Sequence, residues 1–196
     1  MKGKFVVFEG IDGSGKTTLA KRLAVERGGW FTAEPTQSRL GTMLRSGEFG
    51  KVPPEAEALL FTADRAVHTE EITRRLDAGQ DVFCDRYSGS TVVYQSVSSD
   101  GADWDWLCAI QKRASVEPDA VVLLDIDPDA SMHRVGARGE EVSRFEDLGF
   151  QRRVREAYLR LAEEYGYIVI DASGSVEQVY DRTVDELRKR GINASE

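Results

Sequence analysis

The stretch from Lys4 to Thr18, KFVVFEGIDGSGKTT, constrains the fold more than any other part of the chain. Phe5, Val6, Val7 and Phe8 form a short apolar run of β-branched and aromatic residues, which predicts a buried strand. Gly10-Ile11-Asp12-Gly13-Ser14-Gly15-Lys16-Thr17 then fits G-x-x-x-x-G-K-[ST], and Leu19, Ala20, Leu23 and Ala24 follow at helical spacing. Each residue type has a separate task. The glycines let the backbone turn its N–H groups into a concave anion nest, and the helix N-terminus adds roughly half a positive charge. Lys16 brings a mobile cation to the outer phosphates, and Thr17 offers a hydroxyl to Mg²⁺. A chance match somewhere in a chain this long has a probability of about one in a hundred, and the strand-loop-helix context lowers it further. The stretch predicts a nucleoside triphosphate site.

The remaining chain alternates short apolar strands with helices. Trp30 to Ala33 predicts a second strand, ended by Glu34-Pro35. Leu40, Met43 and Leu44 share a face of a short helix that ends near Arg45, and Pro53-Pro54 opens a long helix that runs to Gly79. Asp81 to Asp85 predicts the third strand, with Asp85-Arg86 at its carboxyl end, and a polar loop containing Tyr94 follows. A helix is expected from Asp103 to Ser115, and Ala120 to Asp125 is the clearest buried strand. Asp127-Pro128 starts a helix that runs into the Arg-rich stretch Arg134 to Arg144; Phe150 to Leu161 marks another helix. Tyr167 to Asp171 is the last strand and Val176 to Arg190 the closing helix. Five strands alternating with helices predict an α/β fold, a doubly wound five-stranded parallel sheet, built as one domain over 1–196. Ligands of such sheets bind beyond the carboxyl ends of the strands. Glu9-Gly10, Glu34-Pro35, Asp85-Arg86, Asp125 and Asp171 all fall there.

Charge narrows the partners. The formal net charge is −8, which argues against general nucleic-acid binding and, with no polybasic block, against a membrane surface. Within this acidic total the cations are 19 Arg against 7 Lys. The planar fork of arginine suits phosphate, although a GC-rich coding sequence gives the same bias. Cys84 and Cys108 have no metal-ligand spacing and read as packed, reduced thiols, and the chain enters its first strand without a signal-peptide core. A cytoplasmic protein is expected.

A phosphate loop alone does not separate kinases from GTPases or motors. No N-K-x-D guanine motif is present, and a strand-tracking motor would need a longer, more basic chain. Arg45, Arg65 and Arg86 instead feed the same sheet edge, as expected for a second anionic ligand. Phe61 and Arg65 stand at i and i+4 on one helical face, so a ring and a guanidinium could grip a flat base together. Taken alone, Phe61 reads as core, Arg65 as a solvated or salt-bridged helix residue, Asp85 as a local cap or pair and Tyr94 as packing; their joint spacing carries the weight.

FEGIDGSGKTT, Glu34-Pro35, FTADR (Phe61 to Arg65), DRYSGSTVVYQ (Asp85 to Gln95), ARGEEVSRFE (Ala137 to Glu146) and DAS (Asp171 to Ser173) together resemble the thymidylate kinase family, in order and over nearly the whole chain. The resemblance implies that Gly10, Ile11, Asp12, Gly13, Ser14, Gly15, Lys16, Thr17 and Thr18 hold the phosphates of ATP, with Arg134 flanking adenine. It implies that Asp12 approaches the 3′-hydroxyl of dTMP and that Phe61 stacks on thymine, with Arg65 on its carbonyl edge. Arg86 and Arg45 would bind the acceptor phosphate beside Ser90, Glu34 and Pro35, and Tyr94 would lie under the deoxyribose. Asp85 would join Thr17 at Mg²⁺. Arg138 and Arg144 would come from a lid over about 134–146 and act with Lys16 and Arg86 in catalysis. Gly13 stands where one branch of the family has a basic residue, so the chain resembles the lid-arginine branch. Ala33 departs from the common R-E-P pattern, and Arg39 is a candidate replacement. The family also implies a homodimer. Two rival expectations stay open: a deoxynucleoside kinase with Glu9 or Asp85 as base, and a non-catalytic ATP-binding switch.

Overall fold

The computed structural model describes residues 2–98, 101–136 and 147–192. Its centre is strand β1 (Phe5–Glu9), buried at every position. Strands β2 (Trp30–Ala33), β3 (Val82–Asp85), β4 (Ala120–Asp125) and β5 (Ile168–Asp171) join it in the order β2-β3-β1-β4-β5, and every pairing is parallel. A central parallel strand is covered on both faces, which is why its sequence is continuously apolar rather than alternating. Val6 and Phe8 face the cluster that holds Leu19, Ala20 and Leu23 of α1 (Lys16–Glu26), whereas Phe5 and Val7 pack with Ile72 and Leu76 of α3 (Pro54–Asp77). Glu9 continues the face of Phe5 and Val7, because side chains alternate along a strand.

Helix α8 (Val176–Lys189) lies beside α1, joined to it by Arg22–Glu177 and Tyr180–Glu26 contacts. On the other face, α4 (Ser88–Ser96) packs against α3, α5 (Trp104–Ala114) and α7 (Leu148–Tyr165). The short helices α2 (Arg39–Ser46) and α6 (Pro128–Gly136) follow β2 and β4 at the carboxyl edge. The chain leaves β1 and β4 toward opposite edges of the sheet, so the switch point is the crevice between their carboxyl ends. The phosphate loop occupies it. Among the described residues no helix is long and apolar enough to cross a membrane.

The predicted elements are present, with one correction. The expected polar loop around Tyr94 is helix α4. Its sequence, SGSTVVYQS, lacks an apolar stripe because Gly89, Thr91, Val92, Val93 and Gln95 are all buried, leaving no solvent face to set a period. The expected run of the helix after Asp127 into Arg144 is seen as far as Gly136, beyond which residues 137–146 lie outside the described residues.

A cavity of about 770 Å³ lies on the α5–α7 side of β1 and β4, lined by Val7, Val121, Cys108, Tyr165 and Tyr167. It contains none of the phosphate-loop residues and meets the loop region only at Glu9, Tyr87, Ser88 and Gly89.

Candidate active site

The phosphate loop runs from β1 into α1. Gly15 sits at the N-cap with φ 100°. Gly13 has φ 76°, and a Cβ there would stand 2.8 Å from the Ser131 carbonyl oxygen. A larger residue at position 13 would be strained in backbone and side chain alike, which accounts for glycine where part of the family is basic. The Ser131 hydroxyl donates to the Asp12 carbonyl and anchors the loop to α6. Ile11 and Ser14 are buried, and Thr18 is exposed on the first turn of α1.

Lys16 folds back over the loop, its Nζ donating to the Ile11 carbonyl at 2.7 Å. Burial lowers its pKa to about 8, and the nearby Arg86 charge adds to the effect. The Thr17 hydroxyl donates to Asp85 Oδ2, so the two residues expected at the metal are in direct contact. Asp85 Oδ1 is buried and has no hydrogen-bond partner among the described residues. A buried carboxylate oxygen beside a threonine hydroxyl is a hard-oxygen pair suited to Mg²⁺. Among the described residues no cluster of three His, Cys, Asp or Glu forms a cage.

Arg86 enters the crevice from the end of β3. It is non-glycine with φ 66°, in the left-handed region. Its amide donates to the Phe8 carbonyl at 2.9 Å. Its guanidinium pairs with Asp12 and reaches the Tyr94 hydroxyl at 3.3 Å, Ser90 Oγ at 3.3 Å and the Tyr158 hydroxyl at 3.5 Å. The Arg86 charge holds the Asp12 carboxyl below its ordinary range, and burial pushes the Tyr94 phenol up to about 12. Arg86, Asp12, Ser90 and Tyr94 therefore form one hydrogen-bonded set, and Asp12, Asp85 and Arg86 all act on the Lys16 charge through space.

A second set forms under the β2 edge. Arg65 is 1% exposed and donates from Nε to Glu34 at 2.8 Å. Its other nitrogens donate to Gln111, to the Tyr87 carbonyl at 3.0 Å and to Thr91 Oγ1 at 3.0 Å. His68 Nδ1 bonds the other oxygen of Glu34 at 2.9 Å. Of the solvated or salt-bridged positions its type suggested, the structure gives Arg65 the second, as a buried ion pair. Phe61 is half-buried one turn earlier on α3. Arg45 is exposed and donates to the Pro35 carbonyl, Gln37 and Thr42, so it braces the segment after β2 and is not joined to Arg86. Arg134 donates to the carbonyls of Ala172, Ser173 and Gly174 at 3.0–3.2 Å and clamps the loop after β5. Arg138 and Arg144 lie outside the described residues.

Sequence reasoning placed Glu9 at a strand's carboxyl end and as a candidate base, and gave Tyr158 no role beyond its place in a helix. Glu9 is fully buried and accepts from the amides of Tyr87 and Ser90 at 3.0 Å each, from Ser90 Oγ at 2.6 Å and from the Tyr158 hydroxyl at 3.0 Å. Burial raises its pKa, while the Ser90 bonds and the Arg86 charge pull it back. The available signal was a carboxylate ending an apolar strand. Tyr158 carried none.

The arrangement holds an anion nest and a preorganised arginine across one crevice, and comparisons with known proteins agree with it. The sequence model of the thymidylate kinase family matches residues 8–183. A protein named "Probable thymidylate kinase" from Methanocaldococcus jannaschii is 42% identical over 187 residues, covering 94% of this chain and 95% of its own. One of the same name from Pyrococcus abyssi is 42% identical over 199 residues, with 94% and 95% covered. In fold, the chain is similar to a thymidylate kinase from Candida albicans, with a TM-score of 0.82 at 21% identity over 97% of this chain and 93% of that one. With a match that spans both the phosphate loop and the Arg86 segment, the chain belongs to the thymidylate kinase family.

Proposed function

We propose that this protein is a phosphotransferase that moves the γ-phosphoryl group of ATP to the 5′-phosphate of dTMP, giving dTDP and ADP. One observation carries the reading: Arg86 is fixed opposite the phosphate loop by Asp12, Ser90, Tyr94 and Tyr158, so two anion sites share one crevice. The acceptor is a phosphate monoester with a second pKa near about 6, largely dianionic at pH 7, and needs no general base. The obstacle is repulsion. Two unit charges 4 Å apart repel by roughly 4 kcal/mol at an effective dielectric of 20. Lys16 and Arg86 offset that from the two sides, and the family resemblance adds Arg138 and Arg144.

Thr17 and Asp85 would hold Mg²⁺, which when bound neutralises charge on the donor phosphates. Asp12, beside Arg86, would place the sugar 3′-hydroxyl, and the Tyr94 ring would lie under the deoxyribose. Phe61 would stack on the base. Arg65, tied by Glu34, would present its remaining N–H to a base carbonyl. A hydroxyl acceptor, as in a deoxynucleoside kinase, would require a free carboxylate base. Of the two candidate bases, Glu9 is occupied by four donors, and Asp85 has one oxygen on Thr17 and would turn the other to Mg²⁺, which favours the phosphate acceptor.

The test is an ADP-release assay with ATP against dTMP, dUMP, the other nucleoside monophosphates and thymidine. The fastest turnover is expected with dTMP and none with thymidine. Turnover of thymidine without dTMP would reverse the choice of acceptor, and ATP binding without turnover of any of these would point to a switch.

A further inference from the structure

We infer that Glu9 is a positioning residue for the acceptor phosphate, acting through Arg86, which it holds by the backbone on one side and by a shell of hydroxyls on the other. The inference rests on the proposed role of Arg86 in binding that phosphate. A non-glycine residue at φ 66° persists only where its surroundings over-determine it. Here the peptides on both sides of the arginine are pinned to the end of β1. The Arg86 amide donates to the Phe8 carbonyl at 2.9 Å, and the next amide, that of Tyr87, donates to Glu9 Oε1 at 3.0 Å. The same oxygen takes the Ser90 amide at 3.0 Å, fixing the first turn of α4.

Glu9 Oε2 organises the side-chain half. It accepts from Ser90 Oγ at 2.6 Å and the Tyr158 hydroxyl at 3.0 Å, and those two hydroxyl oxygens lie 2.9 Å from each other. Both are also partners of Arg86 Nη1, at 3.3 and 3.5 Å. With their protons directed at Glu9, their lone pairs face the guanidinium. One buried carboxylate thereby sets both where the Arg86 backbone leaves the sheet and which way its fork points. Among the described residues no hydrogen bond joins it to the phosphate loop's own side chains; only its charge acts on Lys16, through space.

The test compares Glu9→Ala, Glu9→Gln, Arg86→Ala and the Glu9→Ala/Arg86→Ala double variant, with KM and kcat measured separately for dTMP and ATP. Misplacing a catalytic cation by an ångström costs up to about a hundredfold. Glu9→Ala is therefore expected to lower kcat/KM for dTMP by about ten- to a hundredfold, with KM for ATP within about threefold of wild type. Glu9→Gln keeps an oxygen for the two amides but offers an N–H where the two hydroxyls donate, so it restores the backbone half only, and its dTMP kcat/KM should fall between those of Glu9→Ala and wild type. In the Arg86→Ala background, adding Glu9→Ala should cost nothing further, since the residue acts through the missing arginine. Equal losses toward both nucleotides, no recovery in Glu9→Gln, or losses that multiply in the double variant would each overturn the inference while leaving the Arg86 assignment intact. Unchanged dTMP kinetics in Arg86→Ala would overturn that assignment first.

Gly89→Ala provides a second approach if Glu9→Ala fails to fold. Its Cβ would stand 3.0 Å from Glu9 Oε1, so the carboxylate must shift while a helical alanine leaves the fold favoured. A KM rise confined to dTMP is expected; unchanged dTMP kinetics there would overturn the inference.

Discussion

Arg65 shows how far a residue's role is set by what surrounds it. Its position one turn after Phe61 suggested a guanidinium offered to a ligand, and its type alone a solvated or salt-bridged surface. Burial instead makes it a junction of β2, α3, α4 and α5 through Glu34, Tyr87, Thr91 and Gln111. Removing one partner of a buried ion pair leaves the other charge uncompensated, at a cost of about 3–5 kcal/mol. Glu34→Ala is therefore expected to lower stability by about that much, read from denaturant midpoints. A purely ligand-contacting Glu34 would leave those midpoints unmoved. His68, on the other oxygen of Glu34, joins the same unit. Glu34 and Arg65 were readable as site candidates because they flank a strand end and a ring; that they need each other was not.

At the scale of elements, termini were more legible than interiors. Helix α8 starts with a capping box: Ser175 accepts from the Gln178 amide at 3.3 Å, and Gln178 Oε1 accepts from the Ser175 amide at 2.9 Å. Such local chemistry depends on a few consecutive residues and survives any tertiary context. Ser175→Ala should cost about 1 kcal/mol, a fall in Tm of roughly 2–4 °C, with kcat unaltered because α8 lies away from the crevice. A loss of turnover there would mean that α8 reaches the site. Helix α4 is the opposite case. Its β-branched, hydroxyl-rich sequence has weak helix propensity, and its helicity is stabilised by packing against α3, α5 and α7. No window of nine residues contains that information.

For the whole molecule, the proposed ATP and dTMP sites share one sheet edge, and each ligand should stabilise the fold separately. A ligand at a hundred times its Kd adds about 2.7 kcal/mol, roughly 5–10 °C in Tm for a chain of this size. ATP with Mg²⁺ and dTMP should each raise the melting temperature, and Arg86→Ala should abolish only the dTMP shift. If Arg86→Ala also removed the ATP shift, the two sites would not be separable units.

The sequence by itself determined the phosphate loop, the five strands, the two-sided sheet and the family, because these rest on contiguous residue types whose periodicity and backbone needs are local. Only the tertiary structure decided which charges meet. Glu9 and Tyr158 are 149 residues apart, Arg86 and Asp12 are 74 apart, and Arg65 meets its Glu34 across 31. A hydrogen bond across such separations leaves no period, spacing or composition behind in the chain. It exists only once parallel pairing brings the carboxyl ends of β1 and β3 side by side and α7 folds over them.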